Sequence, residues 1–159
     1  MENGNVSQEQ LASEITELLA HGGTLGSIYD YTEADYEVLY ALGHSLYSQA
    51  RYFDAMKAFG YLVVHNHLEK RFLMAFASSL QMLKVYQDAI KYYSMATVMD
   101  MTDPKPIFHV AECLLGLGMV KEAKEGLEVA LGQCQGDVHE PLKARAQALL
   151  DLISKQSSH

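Results

Sequence analysis

Tyr36–Glu69 reads YEVLYALGHSLYSQARYFDAMKAFGYLVVHNHLE. The next two stretches of 34 residues are Lys70–Asp103, KRFLMAFASSLQMLKVYQDAIKYYSMATVMDMTD, and Pro104–Asp137, PKPIFHVAECLLGLGMVKEAKEGLEVALGQCQGD. They repeat the chemistry of the first column by column, without a gap. Leu39, Leu73 and Ile107 share one column, and Gly43, Ala77 and Ala111 share a small one. Leu46/Leu80/Leu114, Ala55/Ala89/Ala123, Phe59/Tyr93/Leu127 and Leu62/Ala96/Ala130 follow, with Tyr52/Tyr86/Val120 at the half-repeat boundary.

A period of 34 with this order of large, small and aromatic positions is the tetratricopeptide pattern. The small residue lets two antiparallel helices approach closely, and the large ones fill the grooves around that contact. One helix pair cannot bury its apolar face alone, so successive pairs stack around a shared core. The expected fold is therefore all-α, three tetratricopeptide repeats (36–69, 70–103 and 104–137) in a right-handed superhelix. Helices are expected at about 33–49, 53–65, 70–83, 87–100, 104–117 and 121–134. Ala55, Ala89 and Ala123 are expected to be almost fully buried where helices cross.

The flanks have their own signals. In 1–35, Ser7 and Gln10 form a capping box for an amphipathic helix carrying Leu11, Ile15, Leu18 and Leu19, ended by Gly22-Gly23. That stripe lies outside the repeats and must be buried on the first repeat or on another subunit. Thr24–Tyr31 is too apolar for a free linker and is expected to dock as a short turn. Thr32 with Asp35 marks the next helix start, and Asp103-Pro104 another. In 138–159, Pro141 opens a helix with Leu142, Ala146, Leu149, Leu150 and Ile153 on one face, as a capping helix needs. Gln156–His159 is expected to be disordered.

With 12 Lys and Arg against 20 Asp and Glu, the formal charge of −8 disfavours nucleic acid as a partner. No apolar run is long enough to span a bilayer, and the polar start MENGNVSQEQ is no secretory signal. Cys113 and Cys134 fit free thiols in a reducing cytosol. His109 and Cys113 lie four apart and His65 and His67 flank Asn66, but no set of four ligands is present. No metal, cofactor or catalytic constellation is expected, hence no enzyme.

The first helix of each pair lines the concave side of such a stack. Between the core columns it presents Glu37, Tyr40, His44, Tyr47 and Ser48, then Arg71, Met74, Ser78, Gln81 and Met82, then Lys105, Phe108, Glu112, Leu115 and Gly116. Tyr40, Tyr47, Met74, Met82, Phe108 and Leu115 are more apolar than a solvated face requires. Either some pack against the N-terminal segment, or they line a groove for an extended peptide. The candidate peptide-binding residues are Tyr40, His44, Tyr47, Met74, Ser78, Met82, Phe108, Glu112 and Leu115. Tyr is a rigid amphipathic anchor and Met adapts to more than one partner.

The acidic N-terminal helix followed by Gly22-Gly23-Thr24-Leu25, the three repeats and the stretch Asp103–Leu115, DPKPIFHVAECLL, together resemble the class II chaperones of bacterial type III secretion. The repeat pattern does not itself require Phe108-His109 or Ala111-Glu112-Cys113. The resemblance implies a cytoplasmic bacterial chaperone that keeps one or two hydrophobic translocators soluble, unassembled and secretion-competent. It further implies a homodimer through the N-terminal region. A translocator segment of the form Pro-x-Leu-x-x-Pro would lie along the concave face. Some members also act with a transcription activator. The alternative is a tetratricopeptide adaptor or scaffold. The clamp for acidic C-termini is excluded, since its positions hold Tyr40, His44, Ala75, Lys105 and His109, and only Lys105 matches.

Overall fold

A methyl group placed on Gly43 would lie 2.4 Å from Phe59 Cε1, so the first helix of the first hairpin rests its backbone directly on that ring. The later hairpins hold Ala77 and Ala111 in the same column, both fully buried. In the computed structural model, residues 29–156 are described throughout, with residues 17, 20–24 and 26 before them. The helices are α1 (Glu33–Ser48), α2 (Tyr52–His65), α3 (Lys70–Met82), α4 (Tyr86–Met99), α5 (Pro104–Gly116), α6 (Val120–Gln133) and α7 (Glu140–Gln156). A single 3-10 turn, Asp137–His139, precedes α7, and no strand occurs among the described residues.

The chain is all-α, as expected, and the six repeat helices begin and end within one residue of the expected bounds. Helix α7 extends through Gln156, which the sequence reading placed in a disordered tail; residues 157–159 lie outside the described residues, as do Leu11, Ile15, Leu18 and Leu19.

Consecutive helices pack in sequence: α1 on α2, α2 on α3, and so on to α7 on α6. Ala55, Ala89 and Ala123 are fully buried, each at a crossing that leaves no room for a larger side chain. Phe59, Leu62, Phe72 and Leu73 fill the space between the first two hairpins. Ala77, Leu80, Tyr93 and Cys113 do so between the second and third. Leu127 and Ala130 meet Ala146 and Ile153 of α7, so the last helix seals the open end of the stack.

Each hairpin turns in the same way. Ala50, Lys84 and Gly118 occupy one repeat column and all adopt left-handed backbone, with φ of 58°, 61° and 76°. The next amide reaches back across the turn: Arg51 N to Leu46 O, Val85 N to Leu80 O and Met119 N to Leu114 O, each at 2.9 Å. These bonds satisfy carbonyls that the ending helix leaves unpaired.

First helices have side-chain caps. Thr32 accepts from Asp35 N at 3.3 Å while Asp35 Oδ2 accepts from Thr32 N at 2.8 Å, the expected reciprocal box. Glu69 and Asp103 accept from Arg71 N and Lys105 N at the starts of α3 and α5. The segment before α1 docks through aromatic contacts: Tyr31 donates or accepts at Tyr61 with O–O 2.6 Å, and its ring lies 5.2 Å from that of His65.

Candidate functional site

The first helices of the three hairpins line one wall together. Tyr40 and His44 come from α1, Lys70, Arg71, Met74, Ala75 and Ser78 from α3, and Lys105 and His109 from α5. Glu69 and Asp103, the caps of α3 and α5, stand at the rim, and Tyr93 of α4 closes the floor. They enclose an open cavity of about 520 Å³. A smaller one of about 60 Å³ adjoins it and adds Tyr47 and Phe59 to shared His44, Ala75 and Ser78.

Polar contacts roughly one repeat long tie these helices together. Tyr47 and Ser78 share a hydroxyl hydrogen bond of 2.8 Å. Arg71 pairs with Glu37, lies 3.6 Å from Glu69, and sets its guanidinium over Tyr40 at 5.0 Å. Lys70 Nζ bridges Asp100 at 3.0 Å and Asp103 at 2.8 Å, clasping the start of α3 to the end of α4 and to the cap of α5. Bonds from Thr102 and Lys70 hold the Asp100 carboxyl down at about 2. Tyr40 titrates above its ordinary range, first because burial disfavours the phenolate.

Glu112 is the hub at the far end. It accepts from Gln81 Nε2 at 3.2 Å and Arg145 at 2.6 Å, and meets His109 Nδ1 at 2.9 Å. Burial alone would raise its pKa, but the bonds from His109 and Gln81 and the Arg145 charge outweigh that and hold it below the usual carboxylate range. Tyr93 donates to Gln81 Oε1 at 2.8 Å and stacks on His109 at 5.1 Å. His109 is thus engaged by Glu112 and Tyr93. The Cys113 thiol, pushed up to about 12 by burial and by the Glu112 charge, is a packed hydrophobe.

Of the nine candidate residues, Tyr40, His44, Met74 and Ser78 line the larger cavity, and Tyr47 lines its extension. Glu112 reaches it only through Gln81 and His109. Phe108 is a correction: it was expected as a groove wall, yet it is 0% exposed. It packs against Ala111, Leu127 and Ala146, and Arg145 covers its ring at 4.9 Å. The capping helix α7 buries the third repeat's copy of a column that stays partly open in the first two. Leu115 packs against the same cluster. Met82 is 46% exposed at the last turn of α3 but lines neither cavity.

Sequence reasoning passed over Tyr93, because its column reads Phe59, Tyr93, Leu127 and so looked purely structural. The phenolic hydroxyl in an apolar column was the available signal, since buried Tyr needs a polar partner. Glu69 and Lys70 entered the sequence reading only as repeat bounds, and Asp103 as a bound and a helix cap.

A stack of three helix pairs with a capping helix and a groove along its first helices defines a tetratricopeptide-repeat protein. Residues 72–103 match the family model of the tetratricopeptide repeat. The chain is 36% identical over 129 residues to the low calcium response locus protein H of Yersinia pestis, covering 81% of this chain and 76% of that one. It is 26% identical over 149 residues to the chaperone protein SicA of Salmonella typhimurium, covering 94% and 88%. A type III secretion complex from Aeromonas hydrophila superposes with a TM-score of 0.86 at 33% identity, over 92% of this chain and 98% of that one. The Yersinia enterocolitica chaperone SycD, solved with a peptide of the translocator YopD, gives 0.75 at 33%, over 79% and 97%. Another structure of SycD, described as an alternative dimer, gives 0.76 at 32%, over 80% and 98%. The chain belongs to the type III secretion translocator chaperones.

Proposed function

We propose that this chain works in the bacterial cytoplasm, where it holds a hydrophobic translocator in its concave groove and keeps it soluble, unassembled and competent for export. The role is one of binding rather than catalysis. The observation that carries this reading is the cavity of about 520 Å³ along the first helices, in a chain whose relative SycD was solved with a translocator peptide. An extended Pro-x-Leu-x-x-Pro segment suits such a groove, because its prolines reduce the ordering cost of binding. Three apolar anchors at about 1.5–3 kcal/mol each supply roughly 5–9 kcal/mol before association costs, so a short peptide binds at micromolar level or weaker.

Tyr47→Ala tests the groove. Its ring lines the smaller cavity and its hydroxyl ties α1 to α3 through Ser78. A labelled Pro-x-Leu-x-x-Pro peptide should bind about tenfold more weakly, the loss of one partly buried anchor, while the circular dichroism stays helical. Lys91→Ala, on an exposed site of α4, should leave binding unchanged. Equal losses from both substitutions, or none from either, would move the peptide to another face.

The same reading includes a homodimer built on Leu11, Ile15, Leu18 and Leu19, supported by the apolar stripe that these residues form in a helical repeat. Deleting residues 1–21 should convert a weak dimer into a folded monomer in sedimentation experiments, since one helix per subunit gives a small interface. A deleted protein that still sediments as a dimer would place the contact elsewhere.

A further inference from the structure

The cavity wall carries Lys70, Arg71 and Lys105 against Glu69 and Asp103, a surplus of cation in a chain of formal charge −8. Most of these charges are already committed. Lys70 holds Asp100 and Asp103, and Arg71 holds Glu37 and stands beside Glu69. Asp103 is further used by the backbone amide of Lys105, at 2.9 Å. The Lys105 ammonium itself has no hydrogen-bond or ion-pair partner among the described residues, and its residue is exposed at the first turn of α5. Across the cavity stand Tyr40 and Met74, the apolar surface that a peptide anchor would cover.

A peptide seated on Tyr40 and Met74 therefore passes near a cation that feels the Asp103 charge but is bonded to no carboxylate among the described residues. Covering an ammonium without an anionic partner costs solvation that a carboxylate at that place restores. Such a pair sets register and selects partners more than it adds affinity. We infer that the groove selects, beside its apolar anchors, an acidic side chain of the bound peptide, which pairs with Lys105. This rests on the groove reading above and adds a charge preference to it. The chemistry is that of an internal Asp or Glu. A terminal carboxylate is a poor fit, since the other positions of the C-terminal clamp hold Tyr40, His44, Ala75 and His109.

The test uses synthetic Pro-x-Leu-x-x-Pro peptides, acetylated and amidated so that no terminal charge contributes. A single Glu is scanned through the variable and flanking positions, and each peptide is compared with its Gln counterpart by fluorescence anisotropy on the full chain. At one position, Glu should bind about threefold to tenfold more tightly than Gln at low salt, and the advantage should shrink as salt rises. Lys105→Glu should abolish or reverse that preference, read as the ratio of Glu-peptide to Gln-peptide affinity on the variant itself. Glu no better than Gln at every position overturns the inference, as does an advantage that survives Lys105→Glu intact. Tyr47→Ala separates the two readings. If it weakens the Gln peptide while the Glu scan stays flat, the charge preference alone falls. If it leaves the Gln peptide unchanged, or if neither peptide binds, the groove reading falls too.

Discussion

Phe108→Ala should destabilise the chain by about 3–5 kcal/mol in urea unfolding, the usual cost of removing a fully buried aromatic ring. The ring is 0% exposed and touches both helices that close the C-terminal end, α6 through Leu127 and Ala130 and α7 through Ala146 and Ile153. Its removal leaves a void shared by three elements, and Arg145 loses the face over which it lies. Domains are stable by only about 5–15 kcal/mol, so the third hairpin of this variant should expose its amides to hydrogen exchange well before the first. The same residue read as a groove wall gives the opposite expectation, a weakened peptide with stability almost unchanged. A loss below about 1 kcal/mol would remove Phe108 from the core.

Ala89→Leu should cost about 1–3 kcal/mol by overpacking. Ala89 is fully buried and belongs to the cluster of Ala77, Leu80, Tyr93 and Cys113, which joins the second hairpin to the third. Three added carbons have nowhere to go unless α3 and α4 separate. Such a separation also disturbs the Tyr93–Gln81 bond that supports the cavity floor. A melting temperature that matches the unsubstituted chain would show the helix register to be wrong.

The repeat columns made the fold legible because each core position is written three times. One ambiguous residue, such as Gly43 facing Phe59, is resolved by Ala77 and Ala111 in the same column. The site was less legible for the same reason. Column logic treats Tyr40, Met74 and Phe108 as equivalents, but the third has α7 against it and the first two do not. Ends break a repeat's symmetry, and the periodic pattern carries no record of what covers each end. Tyr93 shows the converse: a core column can hold one residue whose polar atom reaches into the site. Ala50 and Lys84 were equally silent, since nothing in their identity announces the left-handed backbone that Gly118 adopts at lower cost in the same column.

The lacing between neighbouring first helices has a mechanical consequence. Glu37 to Arg71, Tyr47 to Ser78, Gln81 to Glu112 and Glu112 to Arg145 are successive stitches, α1 to α3 twice, then α3 to α5 and α5 to α7, each passing over the second helix of a hairpin. The molecule therefore behaves like a short coil spring. A small rotation at each joint adds to the next, and the opening of the mouth is the sum of several soft hinges rather than the property of one. A cargo that grips a single turn adjusts one hinge and leaves the others free, whereas a cargo long enough to span all the turns sets the pitch of the whole spring.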